Sequence, residues 1–293
     1  MSDLADQIAA SLDALSSEPW FPQLTENLTF HELSRLYRNM GITPEVYGTA
    51  RVLYRDASRP RVVVSNVKLS HVSGLTAILI ESFRQPEQLN LETKVDFYSD
   101  DELKSGTVLA CIEEALAVID YVPTLKKTVE TLVRCLHVVR PPDNDHDVSF
   151  SEPNLPFSVF VSVPEKRISN DVLRVAEAIV HEAMHLQLSL IERHVPLVLS
   201  AAAKYYSPWR RAYRNTQGIL HGIYVFVAIR RFLEELLSIS ELPAGWKAHC
   251  DDRSLQIDGQ LSEAADLEAS LDLTSLGAIF LNRLMEADRI IYT

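Results

Sequence analysis

His181, Glu182 and His185 stand in the order H-E-x-x-H, as His181-Glu182-Ala183-Met184-His185, and in this 293-residue sequence they are the side chains whose types and spacing carry chemistry most directly. Residues four apart on an α-helix lie one turn above the other on one face. Both imidazoles can therefore reach a single divalent ion while Glu182 stands beside it. Two nitrogens do not complete a metal site, so a third ligand is required, and its identity separates the reactions open to the motif.

The motif needs a helix, and its surroundings supply one. The stretch 171–193 contains no Pro or Gly, and Ser169-Asn170-Asp171 offer N-caps. Leu173, Ala176, Ile179, Val180, Ala183, Met184, Leu188 and Ile191 recur at helical spacing.

The extended zinc-peptidase motif places Gly three residues and His six residues after the second histidine, and here those positions hold Leu188 and Ile191, which excludes that class. A Glu from a later helix is the other common solution. Glu192 lies on the same helix as His185 and reads as too close to bend back. Glu234 and Glu235 share their turn with Arg230 and Arg231, the pattern of a solvated face with i,i+4 pairs. His221 is the stronger candidate: it begins a markedly apolar helix, Gln217 to Phe226, between Gly218 and Gly222, which permit close backbone approach. A polar imidazole in such surroundings needs a partner, either a metal or a hydrogen-bond acceptor. His194, before Pro196 at a helix end, reads more simply as a cap.

Between these halves runs Tyr205-Tyr206-Ser207-Pro208-Trp209-Arg210-Arg211-Ala212-Tyr213-Arg214. A guanidinium matches a carboxylate bidentately, so Arg210 or Arg214 could hold a dicarboxylate or a peptide carboxylate. The other reading is an exposed basic loop that docks on an acidic neighbour.

HEAMH, then YYSPWR, then R-x-x-x-G-x-LHG leading into an apolar helix containing Val225-Phe226, resembles the H-E-x-x-H proteins of ribosomally made peptide natural product pathways, the 2-oxoglutarate-dependent peptide β-hydroxylases. The resemblance spans roughly Phe157 to Leu237. It implies Fe(II) on His181, His185 and His221, and 2-oxoglutarate held through its distal carboxylate by Arg210 or Arg214. The substrate it implies is a precursor peptide hydroxylated at a side-chain Cβ. Glu182 would then orient a ligand or water, or itself ligate the iron. Open coordination positions are a need shared with other non-haem iron oxygenases.

Spacing alone suits a second chemistry, a Zn(II) metallopeptidase in which Glu182 is the general base and Tyr205, Tyr206 or Tyr213 stabilises the oxyanion. A third reading is a non-catalytic peptide-binding protein with a degenerate metal site.

Bulk properties narrow the partners. A formal net charge of −12 argues against a nucleic-acid partner, which clustered Lys and Arg would bind. The opening MSDLADQIAASLDAL is acidic where a signal peptide needs a basic region, so a cytoplasmic location is expected. No apolar run suits a membrane span; the best, Ile219 to Leu237, is interrupted by His221, Arg230, Arg231, Glu234 and Glu235. Cys111, Cys135 and Cys250 lack the spacing of a disulfide framework or thiolate zinc site and read as buried thiols. Oligomeric state is left open.

The expected fold is mainly α (α+β): a helical protein with a small β-sheet beside the metal helix. Helices are expected near 3–15, 28–39, 69–83, 101–118, 123–136, 171–194, 196–204, 218–238 and 260–288. Strands are expected at 61–64, 148–150 and 157–163, the last as a half-buried strand that could pair with an extended peptide. Pro141-Pro142 and the polar run after them suggest a soft boundary between a helical region 1–140, open to a role in peptide recognition, and a metal-binding region 141–293.

Overall fold

The computed structural model describes residues 4–15, 18–39, 53–56, 59–62, 78–81, 95–103, 106–142, 147–152, 157–168, 170–200, 202–264, 267 and 272–289. Among them the chain is mainly helical with small sheets, the architecture that periodicity predicts. The elements run α1 (Leu4–Asp13), α2 (Pro22–Asn39), β1 (Leu53–Asp56), β2 (Arg59–Val62), β3 (Leu79–Glu81), α3 (Asp100–Leu103), α4 (Thr107–Ile119), α5 (Pro123–Leu132) and β4 (Cys135–Val139). They continue with β5 (Ser149–Phe150), β6 (Ser158–Ser162), α6 (Asp171–Glu192), β7 (Lys204–Ser207), β8 (Ala212–Asn215), α7 (Thr216–Leu237), α8 (Ala244–Glu263) and α9 (Ser275–Arg289). Two compact units share these elements: Met1–Leu28 with Gln187–Thr293 form one, and Thr29–Leu186 form the other.

The Thr29–Leu186 unit is built on a four-stranded sheet in the order β3-β4-β6-β5. The first three strands run parallel, and β5 closes the edge antiparallel to β6. Every residue of β4 and β6 is buried. A parallel strand covered on both faces loses the alternation of a half-buried one, and Cys135-Leu136-His137-Val138-Val139, apolar but for His137, is the near-continuous run such a position calls for. This corrects several expectations. The helix expected at 123–136 ends at Leu132 and the chain re-enters the sheet as β4. Ser158–Ser162 is a central strand, paired on both sides, and offers no free edge to a peptide. The end of the helix expected at 69–83 is instead β3; its positions 69–77 and 82–83 lie outside the described residues. The boundary expected at 140/141 falls inside this unit, where β4 and β6 pair across it. The single helix expected at 101–118 is two, α3 and α4, with Gly106 at φ 96° before the second. A positive φ of that size halts a helix and costs glycine nothing sterically.

The other unit packs α1 against α9 and α7 against α8 and α9. Its core gathers Trp20, Phe21, Tyr224 and Phe280, with Phe21 stacked on Tyr224 at 6.5 Å. Tyr224 donates its hydroxyl to the carbonyl of Pro19 at 2.8 Å and also meets Gln187, whose amide donates to the carbonyl of Trp20 at 2.6 Å. Burial pushes the Tyr224 phenol well above its ordinary pKa. Two further expectations are corrected here. Residues 196–200 are not helical: Val198 is bridged to Leu273, and the Leu197 carbonyl accepts from the Thr274 amide at 3.0 Å. The helix expected at 260–288 is the end of α8 plus α9. The body of α8 escapes a hydrophobic-period reading because its buried stripe is Cys250, Ser254, Ile257 and Leu261, half of it weakly apolar.

No helix among the described residues is long and apolar enough to cross a membrane.

Candidate metal centre

Helix α6 runs from Asp171 to Glu192, as the motif requires. Its start is held by Asp171, whose carboxylate accepts from the Ile168 amide at 2.6 Å, and the Asn170 carbonyl accepts from the Arg174 amide at 3.0 Å. One face carries the apolar positions inward: Val172, Ala176, Ile179, Val180 and Ala183 are buried.

The Nε2 atoms of His181 and His185 lie 3.1 Å apart, with ring centroids at 4.8 Å. One divalent ion fits both. For metal–nitrogen bonds of about 2.1 Å, the 3.1 Å separation closes an angle of roughly 95° at the ion. That value lies between the octahedral and tetrahedral angles, so the pair accommodates iron or zinc.

Glu182 is 2% exposed. Its Oε1 accepts a hydrogen bond from the Ser149 hydroxyl at 2.7 Å and lies 3.9 Å from His181 Nε2. The edge strand β5 thus holds the carboxylate beside the ring atom that would face an ion. Sequence reading did not find Ser149, because no local pattern links positions 33 residues apart.

His221 sits on α7, whose first turn is capped by the Asn215 side chain accepting from the Gly218 amide at 2.8 Å. Its Nε2 lies 2.9 Å from Glu192 Oε2, and each of the two side chains is 13% exposed. Glu192 also accepts from the Gln217 amide group at 2.8 Å. The acceptor expected for a half-buried imidazole is thus a carboxylate, the very residue set aside as too close to His185. Seven residues, close to two turns, separate Glu192 from His185 along α6, far enough for it to serve a different histidine.

Among the described residues, no group of three or more His, Cys, Asp and Glu side chains is gathered closely enough to hold a metal ion. The expected site residues form two pairs: His181 with His185 in the Thr29–Leu186 unit, and His221 with Glu192 in the other. Glu234 and Glu235 are engaged with arginines, Arg230 to Glu234 at 2.8 Å and Arg231 to Glu235 at 2.6 Å.

The arginine segment forms a hairpin, with β7 paired antiparallel to β8. Arg210, Arg211 and Arg214 are all exposed. The Arg214 guanidinium lies across Gly218, its Nε 3.1 Å from where a Cβ would stand there, and His221 follows three residues later on the same face of α7. Arg210 is in the hairpin turn, its amide donating to the Ser207 carbonyl at 3.2 Å. The second glycine admits Trp209: a Cβ on Gly222 would fall 2.0 Å from the indole. Trp209 in turn meets Phe226 with ring centroids at 5.1 Å.

No protein-family model matches the chain, and no curated protein matches it.

Proposed function

We propose that the protein is a metal-dependent enzyme acting on a peptide, an Fe(II)/2-oxoglutarate-dependent oxygenase that hydroxylates a side-chain Cβ of a ribosomally made precursor peptide in the cytoplasm. The observation that carries the metal is the 3.1 Å approach of the His181 and His185 Nε2 atoms. His221 is proposed as the third ligand. Its support is the Glu192 carboxylate at 2.9 Å, since metal-bound imidazoles usually have a carboxylate or carbonyl partner on the other ring nitrogen that fixes tautomer and ring orientation. Of the two arginines, Arg214 suits the distal carboxylate of 2-oxoglutarate better, because it lies across the turn of α7 that leads to His221. Glu182, fixed by Ser149, would orient a ligand or water at the metal. When bound, iron would activate dioxygen as the oxidant, and 2-oxoglutarate would supply two electrons by decarboxylating to succinate, which together allow oxygen insertion into an unactivated C–H bond.

The 3.9 Å between Glu182 Oε1 and His181 Nε2 favours a second reading, a zinc peptidase with Glu182 as general base for metal-bound water. One experiment separates the two. Anaerobic addition of Fe(II) and 2-oxoglutarate should produce a weak visible charge-transfer band, and with the precursor peptide and oxygen the mixture should form succinate. Absence of both sinks the oxygenase. Peptide cleavage abolished by a chelator and restored by zinc establishes the peptidase.

A further inference from the structure

Residues 204–214 hold four cations, Lys204, Arg210, Arg211 and Arg214, and no carboxylate, in a chain whose acids outnumber its Lys and Arg by 40 to 28. All four are exposed, and none forms an ion pair among the described residues. In the β7–β8 register Tyr206 faces Tyr213 directly, their rings meeting edge to face at 5.9 Å. Strand alternation puts Lys204 on that same face, two residues before Tyr206. The two tyrosines are 42% and 69% exposed, so this aromatic pair is turned to solvent. At the turn, Arg211 adopts φ 49°, a conformation that glycine would take at less cost.

We infer that the outer face of the β7–β8 hairpin is a docking surface for an acidic peptide segment in extended conformation. Lys204 marks one end of the face and the Arg210-Arg211 turn the other. Strand rise of about 3.3 Å per residue sets those ends about 10 Å apart or slightly more. An extended peptide spans that distance in three or four residues, so its carboxylates would recur at that interval with an apolar residue between them for the tyrosine pair. The hairpin is two strands wide, so its outer edges also offer backbone groups to an added strand. Charge complementarity selects the occupant: the chain as a whole carries a net charge of −12, and this face presents cations without a carboxylate. The inference goes beyond the proposed reaction, because it requires neither metal nor Arg214.

The test uses the full-length, metal-free protein and a fluorescein-labelled peptide of repeating Glu-Ser-Leu-Ser, read by fluorescence anisotropy. Saturable binding is expected, weakening as salt is raised. Combining Lys204→Glu, Arg210→Glu and Arg211→Glu should lower affinity about tenfold or more, and Tyr206→Ser with Tyr213→Ser should lower it without steepening the salt dependence. Far-ultraviolet circular dichroism and the melting temperature check that these surface variants remain folded. The inference is overturned if the peptide does not bind, if a Lys-Ser-Leu-Ser peptide binds equally well, or if the charge-reversed variant keeps its affinity. Tighter binding of a single-stranded oligothymidine would reassign the face to nucleic acid. Self-association abolished by the same charge reversals would reassign it to a second copy of the chain. Either result overturns the inference and leaves the metal proposal standing.

Discussion

The Ser149 hydroxyl donates to Glu182 Oε1 at 2.7 Å, joining the edge strand of the four-stranded sheet to the carboxylate of the metal-binding motif. A carboxylate that is 2% exposed depends on such a bond, because removing the donor leaves a desolvated charge with one partner fewer. Ser149→Ala should destabilise the fold by about 1.5–3 kcal/mol in urea denaturation. It should lower turnover while leaving metal content unchanged. Wild-type stability in this variant would remove Ser149 as the anchor of Glu182.

The pair formed by His221 and Glu192 makes a separate prediction. If His221 ligates the metal, Glu192→Ala should weaken metal affinity roughly 10- to 100-fold, the range for partners behind metal-bound histidines. His221→Ala should weaken it further. Glu234→Ala and Glu235→Ala, which break only arginine pairs, should leave affinity unchanged. Calorimetric metal titration distinguishes these outcomes, and full affinity in His221→Ala would transfer the third ligand elsewhere.

Two glycines should respond to alanine with opposite signs. A Cβ on Gly222 would fall 2.0 Å from the Trp209 ring, so Gly222→Ala must displace the indole and should cost about 1–3 kcal/mol. Gly259, inside α8, has nothing within 4 Å of the added atom. Gly259→Ala should therefore stabilise by about 0.5–1 kcal/mol through helix propensity alone. Thermal denaturation of the two variants reads the sign directly, and shifts in the same direction would contradict the packing of Trp209 on α7.

Acid should act on Glu102. The Ser99 amide, then the Ser99 hydroxyl, and then Arg140 hold its carboxyl down from 4.5 to about 2. A carboxyl depressed on folding contributes stability that is complete above its unfolded value and lost as pH falls toward its folded value, a window from about 4.5 to about 2. Urea midpoints measured across that window should fall more steeply for the wild type than for Glu102→Gln. Parallel curves would show that the Ser99 cap makes no contribution. Because Glu102 is on the surface, added salt should flatten the difference.

The two helices that carry the histidines were legible because each has a local apolar period, and α6 also has a readable start around Asp171. Neither depends on a distant residue to be recognised. The close approaches at Gly218 and Gly222 were legible too, since glycine in an apolar helix invites a neighbour against the backbone. β4 was not: every residue of Cys135–Val139 is buried, so there is no alternation to read, and its place in the sheet is set by partners at positions 79–81 and 158–162.

By itself, then, the amino-acid order determined a mainly helical protein, the H-E-x-x-H pair on one helical face, and a cationic, aromatic segment beside the helix of His221. Each is a property of neighbours within a turn or a strand. Only the tertiary structure decided that Ser149 anchors Glu182, that Glu192 partners His221 after being judged unable to reach the metal, and that Arg214 lies across α7 while Arg210 stays in a turn. These relationships join residues distant in sequence or turn on the path of the backbone between them, and side-chain reach across a fold is settled by packing rather than by spacing.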